Sequence, residues 1–479
     1  MWPKALAVFV VALSVILTQP HGEPSGVKVT GKAWFDMGRI MRAVDTLTTN
    51  ATNPSMNFEG NWLQSYGAQA TIYSDFSEHW HAAMGFGTHL VSHAQASGPI
   101  RYFSISLFQH FITQSRLTGY IGEKESPDFS LDLGAIPFHY NQNSANFGSY
   151  LLRGPVYPGI LLGGFKDFSL DSARANLLGT RLHARTGAFQ HDLIWALETD
   201  VPPLLDQSLA YVTRYRPSEV FEVGAGVNLY HLIPYKKSLE TPGKTAPVSD
   251  KSKYVEVNPV TGDTTFFTHQ GIKLMAMFSL DIKKLWSHSV FGAEDLKLYG
   301  EAALLGTQDY GKTYGKLAER IPVTVGINLP AMGIVDRLSV EAEWYGAKYR
   351  NDMANLGYTN GVADWTRQEH PIPSPKPVMN SDFNIDSTGN WYNPATGISL
   401  PVSGTALDKE NLTSDDFKWS INLEKKVSGS IQLSLQVAND HYRPRPVALQ
   451  GYIFSDGGTK EAFAGKSDWY TMFRMSHFF

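Results

Sequence analysis

Charged side chains recur at alternate positions through much of the chain, which would place them on one face of extended segments. Arg214, Arg216, Lys273, Lys297, Arg320, Lys418 and Arg474 are the candidate cations of that face, and Glu222, Glu301, Glu341, Glu343 and Glu424 the candidate acids. Cations opposed to carboxylates across a water-filled passage would steer ions and polar solutes. Because both signs are present, weak ion selectivity is expected. Glu341 and Glu343 share one strand face, from which an acid–base pair could begin; a cation-attracting wall, or simply solvated lumen residues, is the preferred reading. His79, His81 and His89 share alternation parity, and His93 follows. Two histidines at i, i+2 on a strand can approach one metal. No third ligand is suggested, so no metal is expected and the histidines are read as interfacial or lumen-lining near Trp80. No nucleophile elbow, P-loop, HExxH or dinucleotide fingerprint stands out. Neither an enzyme nor a cofactor is expected.

The composition narrows what could position these groups. The 479 residues include no cysteine, which excludes a disulfide scaffold, thiolate metal sites and a thiol nucleophile. Lys and Arg total 41 against 45 Asp and Glu, a net charge of -4, which gives no electrostatic case for nucleic acid. Charged residues are 18% of the chain, below the usual share of about 25%, while Phe (26), Tyr (22) and Trp (11) are plentiful. That balance argues against disorder.

Met1–Lys4 is weakly positive, Ala5–Leu17 is continuously apolar, and the following residues are small and polar. Residues 1–22 are therefore read as a secretory signal peptide cut near Gly22. Beyond it no apolar run approaches the roughly 18 residues of a spanning helix.

The dominant signal is period-two alternation. In Arg337–Lys348, Leu338, Val340, Ala342 and Trp344 alternate with Ser339, Glu341, Glu343 and Tyr345. The same pattern marks Glu219–Tyr230, Gly271–Lys283, Asp295–Leu304, Asp416–Glu424 and Ser430–Ala438. Less regular strands are expected near Trp62–Phe76, His79–Val91, Arg101–Leu117, Asp128–His139, Gly159–Phe168, Asn176–Arg185, Phe189–Thr199, Gln207–Arg216, Arg320–Leu329 and Ser467–Phe479. Residues 23–61 form an N-terminal segment in which Val27–Ile40 offers a first strand. Many of these runs are longer than the soluble mode of about 5–6 residues. No amphipathic helix is evident to cover their apolar faces. Lipid can cover them, and closure removes the unpaired edges. The expected fold is all-β: a transmembrane antiparallel barrel over residues 62–479, of about 16 to 18 strands, with long extracellular loops.

In the last segment Trp469, Phe473, Met475 and Phe479 share one face, and Tyr470, Met472, Arg474, Ser476 and Phe478 the other. A closing amphipathic strand that ends on Phe479 resembles the assembly signal of Gram-negative outer-membrane β-barrels. The resemblance is specific over the terminal strand and diffuse elsewhere, porin-like without a subfamily. It implies an outer-membrane location, surrounding outer-membrane lipids, and recognition by the barrel-assembly machinery through Trp469, Phe473 and Phe479. The polar Arg474 and His477 depart from the pattern and leave the solute unspecified.

Connections differ in length. Pro217–Ser218 and Lys425–Gly429 are short turns, whereas Ile233–Phe266, Tyr349–Asp415 and Asp440–Lys466 are long. Barrels keep short turns on the periplasmic side. Toward the N-terminus this parity fails, because Asp75–Glu78 is also short. Phe138–Gly159, dense in Asn, Tyr, Gly and Pro, is a candidate constriction loop in which Tyr140, Tyr150 and Arg153 line the path. These features favour a porin that passes small hydrophilic solutes by diffusion, with a homotrimer allowed. The alternative is a non-conducting surface scaffold that binds through the Tyr349–Asp415 stretch; a barrel-embedded hydrolase is a third reading.

Overall fold

The computed structural model describes residues 26–43, 59–60, 62–94, 109–124, 126–152, 175–197, 205–233, 271–285, 290–307, 317–345, 417–440 and 467–479, with short strand pieces between them. The chain forms a closed antiparallel barrel of 16 strands. They are β1 Lys28–Arg42, β2 Trp62–Ser77, β3 Trp80–Ala94, β4 Gln109–Glu123, β5 Ser126–Phe138, β6 Ala175–Thr186, β7 Phe189–Leu197 and β8 Gln207–Tyr215. The ring continues through β9 Phe221–Ile233, β10 Gly271–Asp281, β11 Lys297–Leu304, β12 Pro322–Asn328, β13 Arg337–Tyr345, β14 Phe417–Lys426, β15 Ile431–Asn439 and β16 Trp469–Phe478. Each strand pairs with the next, and β1 pairs with both β2 and β16. No edge is left, as an apolar surround requires.

Two expectations change here. β5 pairs directly with β6, from Phe129↔Ala184 to Phe138↔Ala175, so the ring has no place for a strand at Gly159–Phe168. That segment lies outside the described residues, as does the leader at residues 1–22. The barrel also starts at Lys28 rather than Trp62, because β1 closes the ring. With β1 counted in and Gly159–Phe168 out, the turn Glu78–His79 falls at the same end as the other short turns. The parity conflict disappears.

Alternation sorts the side chains. Leu133, Leu182, Leu193, Leu274, Val325, Ile421 and Leu435 are exposed on the outer face. Exposed aromatics flank this band: Phe76, Trp80, Phe129, Phe189, Tyr215 and Phe221 near the short turns, Trp62, Trp195, Trp344 and Phe417 near the long connections. An apolar band between two aromatic girdles is the outer surface of a barrel that spans a bilayer. Asp36, Asp132, Asp192, Glu301, Glu341 and Lys418 are buried on the opposite, inner face.

The seam between the first and last strands is held by more than its ladder. Asp36 and Arg474 stand directly opposite, and the guanidinium donates from Nε and Nη2 to both carboxylate oxygens at 2.6 and 2.9 Å. Such a two-pronged, charge-assisted contact is specific in geometry as well as strong. Beyond the register, the Phe479 backbone exchanges hydrogen bonds with Gly31 at 2.8 and 3.0 Å.

Hydrogen bonds also tie the short turns to one another. Ala331 and Met332 donate backbone N–H groups to Asp295 at 3.1 and 3.2 Å. Asp336 accepts from the Lys426 backbone N–H at 2.5 Å and pairs with Lys425 at 3.4 Å. The Lys426 N–H first, then the nearby lysine charge, hold the Asp336 carboxyl below the usual carboxylate range.

Candidate functional site: an inward segment and the lumen wall

Residues 139–152, which follow β5, fold against the inner wall. Two clusters of their backbone N–H groups converge on wall carboxylates. Ala145, Asn146 and Phe147 donate to Glu341 at 2.6, 2.7 and 3.2 Å. Ser149 and Tyr150 donate to Glu301 at 2.9 and 2.8 Å. The second cluster requires left-handed backbone, with φ of 83° at Gly148 and 61° at Ser149. Gly148 also permits close approach, since a Cβ there would meet Glu301 Oε2 at 2.9 Å. Successive N–H groups in such turns form a concave anion nest, and here the anion is a side chain of the wall.

Side chains complete both sites. Tyr140 Oη donates to Glu301 at 2.6 Å, Tyr299 Oη to Glu341 at 2.8 Å, and Tyr150 Oη to Glu343 at 2.6 Å. Glu301, Glu341 and Glu343 are only 2%, 1% and 1% exposed. Buried carboxylates demand this number of donors. Asp440, just past β15, accepts from Asn146 Nδ2, Gln436 Nε2 and Tyr470 Oη at 3.0, 3.1 and 2.9 Å. Asn228 Nδ2 donates to the Leu151 carbonyl at 2.9 Å, and Asn143 Nδ2 to Ser279 Oγ at 2.7 Å. The segment thus contacts wall positions on β9, β10, β11 and β13, and Asp440.

Its other contribution is apolar. Tyr140, Tyr150 and Leu151 join Phe138, Ile194, Ala210, Val212, Tyr230, Met275, Met277 and Ala303 in one buried cluster. An inner wall that carries methionines and branched aliphatics would face water unfavourably, and the segment covers it.

Tyr299 reaches Glu341 because its ring lies over Gly326, where a Cβ would fall 2.2 Å from Tyr299 Cε2. Gly326→Val should displace that ring, undo the Tyr299–Glu341 bond and lower stability by about 1–3 kcal/mol. Thermal unfolding in detergent micelles checks this, with Gly326→Ala as the milder step.

A second network runs around β4 to β9. Thr118 Oγ1 donates to Asp132 at 2.5 Å, and Arg181 bridges Asp132 at 3.1 Å and Asp192 at 2.7 Å. His183 Nδ1 lies 2.9 Å from Asp192. Arg214 lies 3.8 Å from Asp192 and 3.9 Å from Glu222.

The residues singled out from sequence therefore separate into groups. Glu301, Glu341 and Glu343 hold the inward segment instead of facing open water. Tyr140 and Tyr150 are buried as its anchors rather than lining the path, because a buried phenol must place its hydroxyl on an acceptor. Lys418 is buried directly opposite Glu343. Lys273 is buried with its ammonium 5.5 Å from the Tyr230 ring. Lys297 pairs with Glu294 at 2.9 Å, and Glu424 stands opposite Arg337. Arg216 lies in the exposed turn after β8, since that strand ends at Tyr215. Arg320 ends a short helical turn, Leu317–Arg320, ahead of β12. Arg153 lies outside the described residues. His79 is in the turn and His81 on the inner wall; the His89 and His93 side chains lie outside the described residues. Trp469 and Phe473 lie on β16, with Phe479 just beyond it.

Asp36, Tyr299 and Asp440 are parts of these networks that alternation did not single out. Tyr299 was legible as a polar-face residue of its strand. Asp440 was not, because it sits where the pattern ends and a long connection begins.

A closed ring, an apolar outer band and a charged inner wall make a porin-like barrel. Solved structures with a similar outline include a mutant of the Rh. blastica porin (TM-score 0.38, 6% identity, 95% of this chain and 100% of that one). OprB of Pseudomonas putida matches with a TM-score of 0.45, 9% identity and coverage of 95% and 94%. OmpF of Salmonella typhi matches with 0.42, 9%, and coverage of 96% and 99%. No family model and no curated protein matches the chain.

Proposed function

We propose that the chain is a porin of a Gram-negative outer membrane that lets small hydrophilic solutes cross by passive diffusion. The carrying observation is the closed ring of 16 strands with charged and hydrogen-bonding side chains on its inner face. Barrels of about 16–18 strands are wide enough to hold an aqueous channel. Residues 139–152 narrow the passage from one side, where their hydrogen bonds reach the wall at β9–β11, β13 and Asp440. In this reading the short turns face the periplasm, lipid surrounds the aromatic-bordered band, and β16 is what the assembly machinery recognises.

The test is conductance of the refolded protein in a planar bilayer. Discrete, long-lived open steps that scale with salt concentration are expected. Barrels shown to be folded by heat-modified gel mobility, yet electrically silent, would overturn the porin reading.

A further inference from the structure

The inner wall is not uniformly neutralised. Arg116 lies on the inner face of β4, opposite Ala83 on β3 and Gly134 on β5. Both register partners are small and uncharged, so neither places a carboxylate opposite the guanidinium. Among the described residues Arg116 has no hydrogen-bond or ion-pair partner, and its Nε is buried. His81, whose register partner is Thr118 on the same face of β4, has a buried Nδ1 that is likewise without a partner.

Every acid described nearby is committed elsewhere. Asp132 is taken by Thr118 and Arg181. Asp75 is taken by Lys124 at 2.5 Å, and Asp36 by Arg474 at 2.6 Å. Lys32, on β1 beyond β2, directs its ammonium at the Trp34 and Phe478 rings, 5.9 and 5.8 Å away. The carboxylates Glu301, Glu341 and Glu343 stand on β11 and β13 and are occupied by the inward segment. The hydrogen bonds of that segment described above fall on none of β1–β4.

A guanidinium drawn partly out of water without a counter-charge is costly, and a mobile anion can supply that charge. The planar fork of arginine matches carboxylate and phosphate oxygens in pairs. We infer that Arg116, with His81 beside it, is an anion-binding station on the β3–β4 wall of the lumen. Small carboxylates and phosphate pause there, and the channel prefers anions over cations. This rests on the porin reading, and it replaces the weak selectivity expected from a simple count of inner charges.

The experiment is the reversal potential of the refolded full-length protein in a potassium chloride gradient, for the wild type and for Arg116→Gln and Arg116→Lys. The wild type should pass chloride in preference to potassium. Arg116→Gln should lower the anion-to-cation permeability ratio by about threefold, and Arg116→Lys should largely keep it. Inorganic phosphate added on one side should reduce the chloride current of the wild type and leave that of Arg116→Gln unaffected. Open channels with a cation preference, or a ratio and phosphate response unchanged in Arg116→Gln, overturn the inference alone. Folded barrels that pass no current overturn the porin reading and the inference with it.

Discussion

Glu341→Ala is expected to release residues 139–152 from the wall. The substitution removes the acceptor of three consecutive backbone N–H groups and of the Tyr299 hydroxyl. Hydrogen bonds to a charged acceptor contribute more than neutral ones, and donors left buried without a partner bear the desolvation cost. The docked arrangement should lose about 3–5 kcal/mol, since such contributions do not add fully. Glu341→Gln keeps one carbonyl acceptor and should lose about half as much. Glu301 holds the other N–H cluster, so Glu301→Gln tests the same attachment from its second end. Limited proteolysis reads the effect: cleavage within 139–152 should accelerate in each variant while the barrel stays folded by gel mobility. Open-channel current noise should rise in parallel. Protection equal to the wild type in Glu341→Ala would show that the apolar cluster around Tyr150 and Leu151 suffices to hold the segment.

Arg474→Ala should produce the largest loss of barrel stability. It leaves the fully buried Asp36 carboxylate without its two-pronged partner at the one seam that joins the ends of the chain. Removing one member of a buried pair costs about 3–5 kcal/mol, because the remaining charge stays desolvated. Replacing both members with neutral isosteres avoids that cost. The double variant Asp36→Asn/Arg474→Gln should therefore recover most of the loss. The temperature at which heat-modified gel mobility changes would be compared for the wild type, Arg474→Ala and the double variant. Equal values for all three would mean that the seam depends on the β1–β16 ladder and the Gly31–Phe479 backbone bonds, with no contribution from the pair.

Much of the architecture was legible because a strand repeats every two residues. Leu338, Val340 and Ala342 against Ser339, Glu341 and Glu343 distinguish an outer from an inner face before any partner strand is known. The same logic located the terminal strand from Trp469 to Phe478. It was weaker at Lys28–Arg42, whose inner positions include Trp34, Gly38 and Ile40 beside Asp36. With apolar residues on both faces, the alternation blurs there. Gly159–Phe168, by contrast, is apolar enough to suggest a strand, although β5 and β6 pair directly and leave no place between them in the ring. Pairing is a property of two segments, and a reading of one segment at a time does not contain it.

The sequence by itself determined that the chain is all-β, that its strands are amphipathic, and that charged groups occupy one face of them. Those properties depend on residues two positions apart along a single strand. Only the tertiary structure decided which of those charges oppose each other. Glu301, Glu341 and Asp440 come from distant parts of the chain, and ring closure brings them around one inward segment. Arg116 is distinguished from the other inner cations by the same means, since among the described residues it has no partner, with Ala83 and Gly134 across from it on β3 and β5. Coulomb and hydrogen-bond energies act over a few ångströms in space, whatever the separation in sequence, so charge could be read from the chain and neutralisation only from the fold.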